Sequence, residues 1–285
     1  MAAVYGALAG ALFGAMGVAI RLGLRRGGDA EGGAAIVASV AAALALVLAA
    51  SVGGEVVAGD LWPFALAGAL VPGVSQLVFV QAIRHAGASR ALILIGTAPL
   101  LSVLLALVLL DEPFTLELTI GTVLIVAAGI ALAGEARPEH FRILGGVLAL
   151  LCAAMFAGRD NLVRWAAQEA HPPPLVATAT SLACAAAVVL AWLVVAPRRT
   201  VPERVGRGVT AFAVAGLCLG LAYSALIAGL DRGRVSVVAP LNATQSLWAV
   251  VFAAAFLRQS EAIGRRVILA AVLVVAGGAL IGIFR

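Results

Sequence analysis

The sequence predicts an all-α integral membrane protein, with ten transmembrane helices arranged as two inverted five-helix repeats. Three observations lead there. Hydrophobic residues make up 63% of the 285 and charged residues only 12%, with a mean hydropathy of +1.12. A soluble domain is nearer one half apolar and about one quarter charged, so lipid must be the solvent of this chain. The apolar residues fall into ten runs, each close to the roughly 20 residues that cross about 30 Å of hydrocarbon. Finally, one hairpin pattern occurs twice, at Thr97–Gly134 and again at Thr244–Gly282.

The runs follow one another with little between them. The first, Ala2–Leu22, has no positive segment ahead of it, so it is read as a mature helix rather than a cleavable leader. Arg25-Arg26 and Gly27-Gly28 end it. Gly33–Val52 stops at Gly53-Gly54, and Leu61–Ile83 carries Pro72-Gly73 near its middle. Ala88–Leu110 has Pro99 at its midpoint and ends in the tight polar loop Asp111-Glu112-Pro113. Leu116–Ala133 closes the first half. Ile143–Trp165 runs toward Pro172–Pro174, and Leu175–Val195 stops before Pro197-Arg198-Arg199. Val209–Leu230 ends at Asp231–Arg234, Val235–Leu257 carries Pro240 in its second turn, and Val267–Phe284 completes the second half. The longest connections are Gly23–Gly32 and Ala196–Gly208, leaving no soluble domain.

The halves, 1–134 and 143–285, can be laid over each other. Leu12–Arg21 matches Met155–Arg164, pairing Phe13 with Phe156 and Arg21 with Arg164. Ser89 pairs with Ser236, Thr97 with Thr244, and LIVAAG at Leu124–Gly129 with LVVAGG at Leu273–Gly278. Five is odd, so the halves must enter the membrane in opposite senses, related by a pseudo-two-fold axis in its plane. Internal duplication of this kind is a mark of transporters.

These residues resemble the drug/metabolite transporter superfamily, in its two-domain EamA branch. FGAMGVAIR at Phe13–Arg21 is similar to the family's first-helix pattern. Pro99, Asp111-Glu112, Gly121 and Leu124–Gly129 are similar to its fourth and fifth helices. The second copy departs, with Ser246 where proline is usual and Gln259-Ser260-Glu261 in the loop. The resemblance implies ten helices around a central cavity that alternates between the two faces, export of small metabolites such as amino acids, and both termini in the cytoplasm of a plasma (inner) membrane protein. The charges argue the other way on orientation. Of the 19 cationic side chains, all arginine, 14 flank loops that follow odd-numbered helices, and only Arg159, Arg164, Arg232, Arg234 and Arg285 lie toward the opposite face. By the positive-inside rule the termini are then outside.

A transporter needs groups that hold a polar solute near the bilayer centre, and polar side chains there face a cavity or another helix. Gln76, Gln81, Tyr223, Asn242, Gln245 and Trp248 are the candidates for substrate binding. The amides and the phenol both donate and accept, and the two rings can stack. Helix–helix hydrogen bonding accounts for such residues equally well. Pro72, Pro99 and Pro240 mark kinks, read either as hinges for gating or as aids to packing.

Arg159-Asp160-Asn161 is the sharpest local feature, because its counterpart in the first half is Met16-Gly17-Val18. It is read as a gate or a site for a solute carboxylate, with Asp160 as a proton-coupling group, or as a snorkelling cluster just inside the interface in which Asp160 pairs with Arg164. Glu112 and Glu261 stand just before helices, where Thr115 and Ser260 can cap and an acid complements the dipole.

Other classes fit poorly. The pI near 10 comes from loop arginines that anchor helices, so no nucleic-acid partner is expected. No GxxxxGK[ST] loop is present, which points to gradients as the energy source. Cys152, Cys184 and Cys218 lie in separate apolar runs without CxxC spacing, and His85, His140 and His171 fall at separate loops. No cofactor, metal site or intramembrane enzyme is therefore expected. The partners are a small-molecule substrate, the lipid bilayer and a coupling proton. Small-residue faces such as Ala127-Ala128-Gly129 and Gly277-Gly278 suit close packing within a monomer or in a homodimer. The alternative to transport is a membrane receptor or assembly subunit.

Overall fold

A computed structural model of the chain describes residues 1–28, 30–52, 57–86, 94–113, 115–133, 143–169, 171–195, 208–256 and 265–283. Its helices are α1 (Ala2–Arg25), α2 (Ala30–Ala50), α3 (Trp62–Gly68), α4 (Ser75–Ala86), α5 (Ala98–Leu109), α6 (Leu116–Ala133), α7 (Ile143–Glu169), α8 (Pro174–Val195), α9 (Val209–Arg232), α10 (Val235–Asn242), α11 (Gln245–Phe256) and α12 (Arg265–Ile283). Among the described residues they make ten spans. The third is α3 and α4, joined by a π-helical segment at Ala69–Val74, and the ninth is α10 and α11. Among the described residues, α1, α2, α7, α8 and α9 are long and apolar enough to cross a membrane unbroken. Ser89, Gln259-Ser260-Glu261 and His140 lie outside the described residues.

The fourth and ninth spans break at equivalent places. The chain turns at Gly96-Thr97 in one and Ala243-Thr244 in the other. Each threonine donates its hydroxyl three residues back, Thr97 Oγ1 to Leu94 O at 2.6 Å and Thr244 Oγ1 to Leu241 O at 2.7 Å. The same carbonyls also accept the backbone N–H of Thr97 and Thr244, both at 3.2 Å, so each turn closes its bonds internally, as apolar surroundings demand. Pro99 is thus in the first turn after the break, where its missing N–H costs nothing, rather than at a mid-helix kink. Pro240 lies inside α10, just ahead of the corresponding break.

Packing follows the pseudo-two-fold axis. The first span packs on the eighth and ninth, as the sixth packs on the third and fourth. The second packs on the eighth as the seventh does on the third. The second and seventh touch across the axis, as do the fifth and tenth. Small residues set these distances. A Cβ on Gly121 would lie 2.8 Å from Gly277 O, and one on Gly277 would lie 2.6 Å from Gly121 O, so α6 and α12 cross at backbone contact within one chain. A Cβ on Gly68 would overlap the Ser181 backbone, which fixes α3 against α8.

Candidate functional site

A cavity of about 320 Å³ lies where the two halves meet. One end reaches Leu24, Gly33 and Phe212, at the face where α1 ends in Arg25. The other end stops at Arg159 and Tyr223. Its walls are mostly apolar, from Phe13, Met16 and Ile20 on α1 to Phe156 on α7. The repeat-equivalent pairs Phe13/Phe156 and Met16/Arg159 both contribute, so the cavity straddles the pseudo-axis.

The third span supplies the irregular wall. Val71 departs from helical geometry at φ −139° and ψ 116°, its peptide to Pro72 is cis, and both residues line the cavity. Its carbonyl, released from the helical ladder, accepts the hydroxyl of Tyr223 on α9. Tyr223 in turn accepts from Arg159 Nη1 at 3.1 Å. Arg159 Nε forms an ion pair with Asp160 Oδ1 at 2.7 Å. Ser102 Oγ on α5 donates to Asp160 Oδ2 at 3.2 Å, and Asn161 Nδ2 donates to Ser102 O at 3.0 Å and Ala157 O at 2.9 Å. The third, eighth, sixth and fourth spans are tied together by one buried polar chain. The Arg159 guanidinium also lies 5.6 Å from the Phe156 ring centroid and 5.4 Å from that of Tyr223, within cation–π range.

This placement corrects the interfacial reading of Arg159-Asp160-Asn161. All three are buried, Arg159 to 2% exposure. The helix α7 extends to Glu169, ten residues beyond Arg159, or roughly 15 Å at about 1.5 Å per residue, so the cluster sits at depth. Asp160 pairs with Arg159 rather than Arg164. Arg164 donates Nη1 to Leu230 O and Asp231 O, both at 2.9 Å, and so satisfies carbonyls at the end of α9.

Of the other candidates, Gln76, Tyr223, Asn242, Gln245 and Pro72 line the cavity beside Arg159. Gln81 and Trp248 do not. Gln81 is exposed further along α4, and Trp248 stacks on Phe252 with ring centroids 5.7 Å apart. Gln245 and Trp248 both follow the break at Ala243-Thr244 on α11, and Gln245, one turn nearer the break, is the one that reaches the cavity. Asp160 and Asn161 lie behind the lining, and Pro99 and Pro240 are buried away from it. Ser75, Phe13, Met16, Phe156 and Phe212 also line the cavity, though polarity at membrane depth does not single them out. The repeat pairing of Phe13 with Phe156 was the available signal for two of them.

The termini end is packed shut. Glu112 accepts from the backbone N–H groups of Val235 at 2.7 Å and Ser236 at 3.1 Å, so the loop of the first half caps α10 of the second. The helix it caps is therefore not its own successor α6, and Thr115 Oγ1 is buried with no hydrogen-bond partner among the described residues. Nearby, Val235 to Leu241 are all buried, and α5 packs against α10.

Comparison with known proteins agrees with this architecture. A solved crystal structure aligns over 100% of this chain and 99% of its own with a TM-score of 0.80 at 20% identity, a likeness of fold. No curated protein matches the chain. The family model described as the EamA-like transporter family matches twice, over residues 1–134 and 143–283. With one match on each five-span half, and a cavity between the halves, the chain belongs to the EamA-like transporter family.

Proposed function

We propose that this protein is a secondary active transporter of the plasma (inner) membrane that exports small metabolites, amino acids among them, by exposing its midplane cavity to each face in turn. The observation that carries the reading is the cavity itself, seated between inverted halves and ending at a buried polar chain that spans four helices. Ligand sites of this size, mainly apolar with a few convergent polar groups, suit small amphipathic solutes.

The breaks at Thr97 and Thr244 supply the hinges. Bending there parts α5 from α10 at the termini end, which requires Glu112 to leave the amides of α10. Because the fold is two-fold symmetric, the same bend brings the opposite end together. Asp160 is the proposed coupling group. Its two oxygens are shared between Arg159 and Ser102, and a proton on the carboxyl dissolves the ion pair and frees the guanidinium.

The test is uptake of a labelled amino-acid panel into proteoliposomes, with and without a pH gradient, for wild type and Asp160→Asn. Saturable uptake stimulated by the gradient, with stimulation lost in the variant, is the expected result. Absence of uptake of any solute by folded, reconstituted protein sends the reading back to a receptor or assembly subunit.

A further inference from the structure

Charge is distributed unevenly around the cavity. Arg159 is the one charged side chain among the described lining residues, and no aspartate, glutamate or histidine joins it. Its partner Asp160 is behind the wall, committed to Nε and to Ser102. Of the guanidinium donors, Nε faces Asp160 and Nη1 faces Tyr223, while Nη2 has no protein partner among the described residues. A guanidinium nitrogen that lines a mostly apolar cavity and bonds no protein group can donate to an oxyanion.

A cation fares badly in the same place. The aromatic faces nearest the polar end, those of Phe156 and Tyr223, already hold the Arg159 guanidinium, whose charge repels a second cation. The remaining polar lining, Ser75, Gln76, Asn242 and Gln245, is neutral. We infer that the recognised solutes are organic carboxylates with an apolar body. The Nη2 edge of Arg159 anchors one carboxylate oxygen, the neutral amides serve the other, and the body lies along Phe13, Met16, Phe156 and Phe212. An amino acid qualifies through its carboxylate, with its ammonium left to amide oxygens. The inference rests on the transport reading only for the fate of the bound solute, since binding itself needs no turnover.

The experiment is a thermal-shift titration of the purified full chain in detergent with phenylacetate, phenylacetamide and phenethylamine, matched in their apolar body. Phenylacetate is expected to raise the melting temperature in a saturable way, and the amide and the amine to leave it unchanged. Arg159→Gln is expected to abolish the response. Arg159→Lys keeps the charge but loses the fork, and is expected to weaken binding by about tenfold or more. The wild-type series stands even where a variant does not fold. An amine or amide response equal to that of phenylacetate, or no response to phenylacetate, overturns the inference. Counterflow of the same solutes in proteoliposomes separates the two readings. Carboxylate binding without counterflow ends the transport reading and leaves the anchor in place, while counterflow of the amine alone does the reverse.

Discussion

The first and sixth spans occupy equivalent places in the two repeats, yet they treat the cavity differently. Both present a phenylalanine, Phe13 and Phe156, and both bring the residue three positions on to the cavity. That residue is Met16 in α1 and Arg159 in α7. The next two positions read Gly17-Val18 in one and Asp160-Asn161 in the other. The apolar triad folds as well as the charged one, so the charge is not a requirement of the helix or of its packing. It is an addition on one side of a symmetric site, and it carries its own neutralising partner with it. The comparison separates what holds the bundle together from what the cavity recognises.

Giving the sixth span the first span's residue tests this with the largest expected effect. In Arg159→Met the Asp160 carboxylate stays buried without its cation, a situation that costs about 3–5 kcal/mol, and transport is expected to fall by about a hundredfold or more. Adding Asp160→Gly completes the first-repeat sequence at both positions and is expected to restore most of the stability but none of the transport. Denaturant unfolding in detergent and proteoliposome uptake read the two quantities separately. A double variant that still transports breaks the comparison, because the charge would then be dispensable to both fold and function.

The same contrast explains how far the residues disclosed the structure. The ten apolar runs, the duplication and the paired threonines Thr97 and Thr244 were legible because each rests on local composition or on repeat alignment. The site was legible in part. Arg159 stood out because its counterpart is methionine, but its depth was misread from a helix assumed to end near Trp165, whereas α7 runs to Glu169. The unwinding at Val71 was signalled only as a proline kink. What stabilises it is the Tyr223 hydroxyl, 152 positions away in sequence, and no local pattern encodes such a contact. Glu112 is a parallel case. An acid ahead of a helix suggests the cap of that helix, yet its partners are the amides of Val235 and Ser236 in the other half.

A second prediction concerns the basic ends of the two spans. Arg21 and Arg164 are repeat equivalents at opposite faces. Arg164 is half-buried on the closed side and bonds Leu230 O and Asp231 O, while Arg21 on the open side is exposed. Removing charged donors from buried carbonyls costs about 1.5–3 kcal/mol, and an exposed substitution changes stability within about 0.5 kcal/mol. Arg164→Gln is therefore expected to lower the melting temperature and Arg21→Gln to leave it nearly unchanged. Equal effects from the two would mean that closure at the termini end does not distinguish the faces in solution.

The smallest effect belongs to the backs of the two helices, and it has a definite sign. Gly14 on α1 and Ala157 on α7 are equivalent positions, and both are buried. A Cβ on Gly14 would sit 2.6 Å from Trp248 Cβ and 2.8 Å from the backbone nitrogen of Ala249, so α1 meets α11 at a distance that a methyl group does not allow. At Ala157 the methyl is present, and the backbone carbonyl accepts from Asn161 Nδ2. Exchanging the residues should therefore destabilise both spans, but for different reasons. Gly14→Ala forces overpacking of about 1–3 kcal/mol onto a rigid backbone neighbour. Ala157→Gly loses helix propensity and a small packing contact, about 1 kcal/mol. Melting temperatures of the two single variants check the order. If Ala157→Gly proves the costlier, then α7 depends on close apolar packing as much as α1 does, and the division between a packing repeat and a recognition repeat no longer holds at this layer.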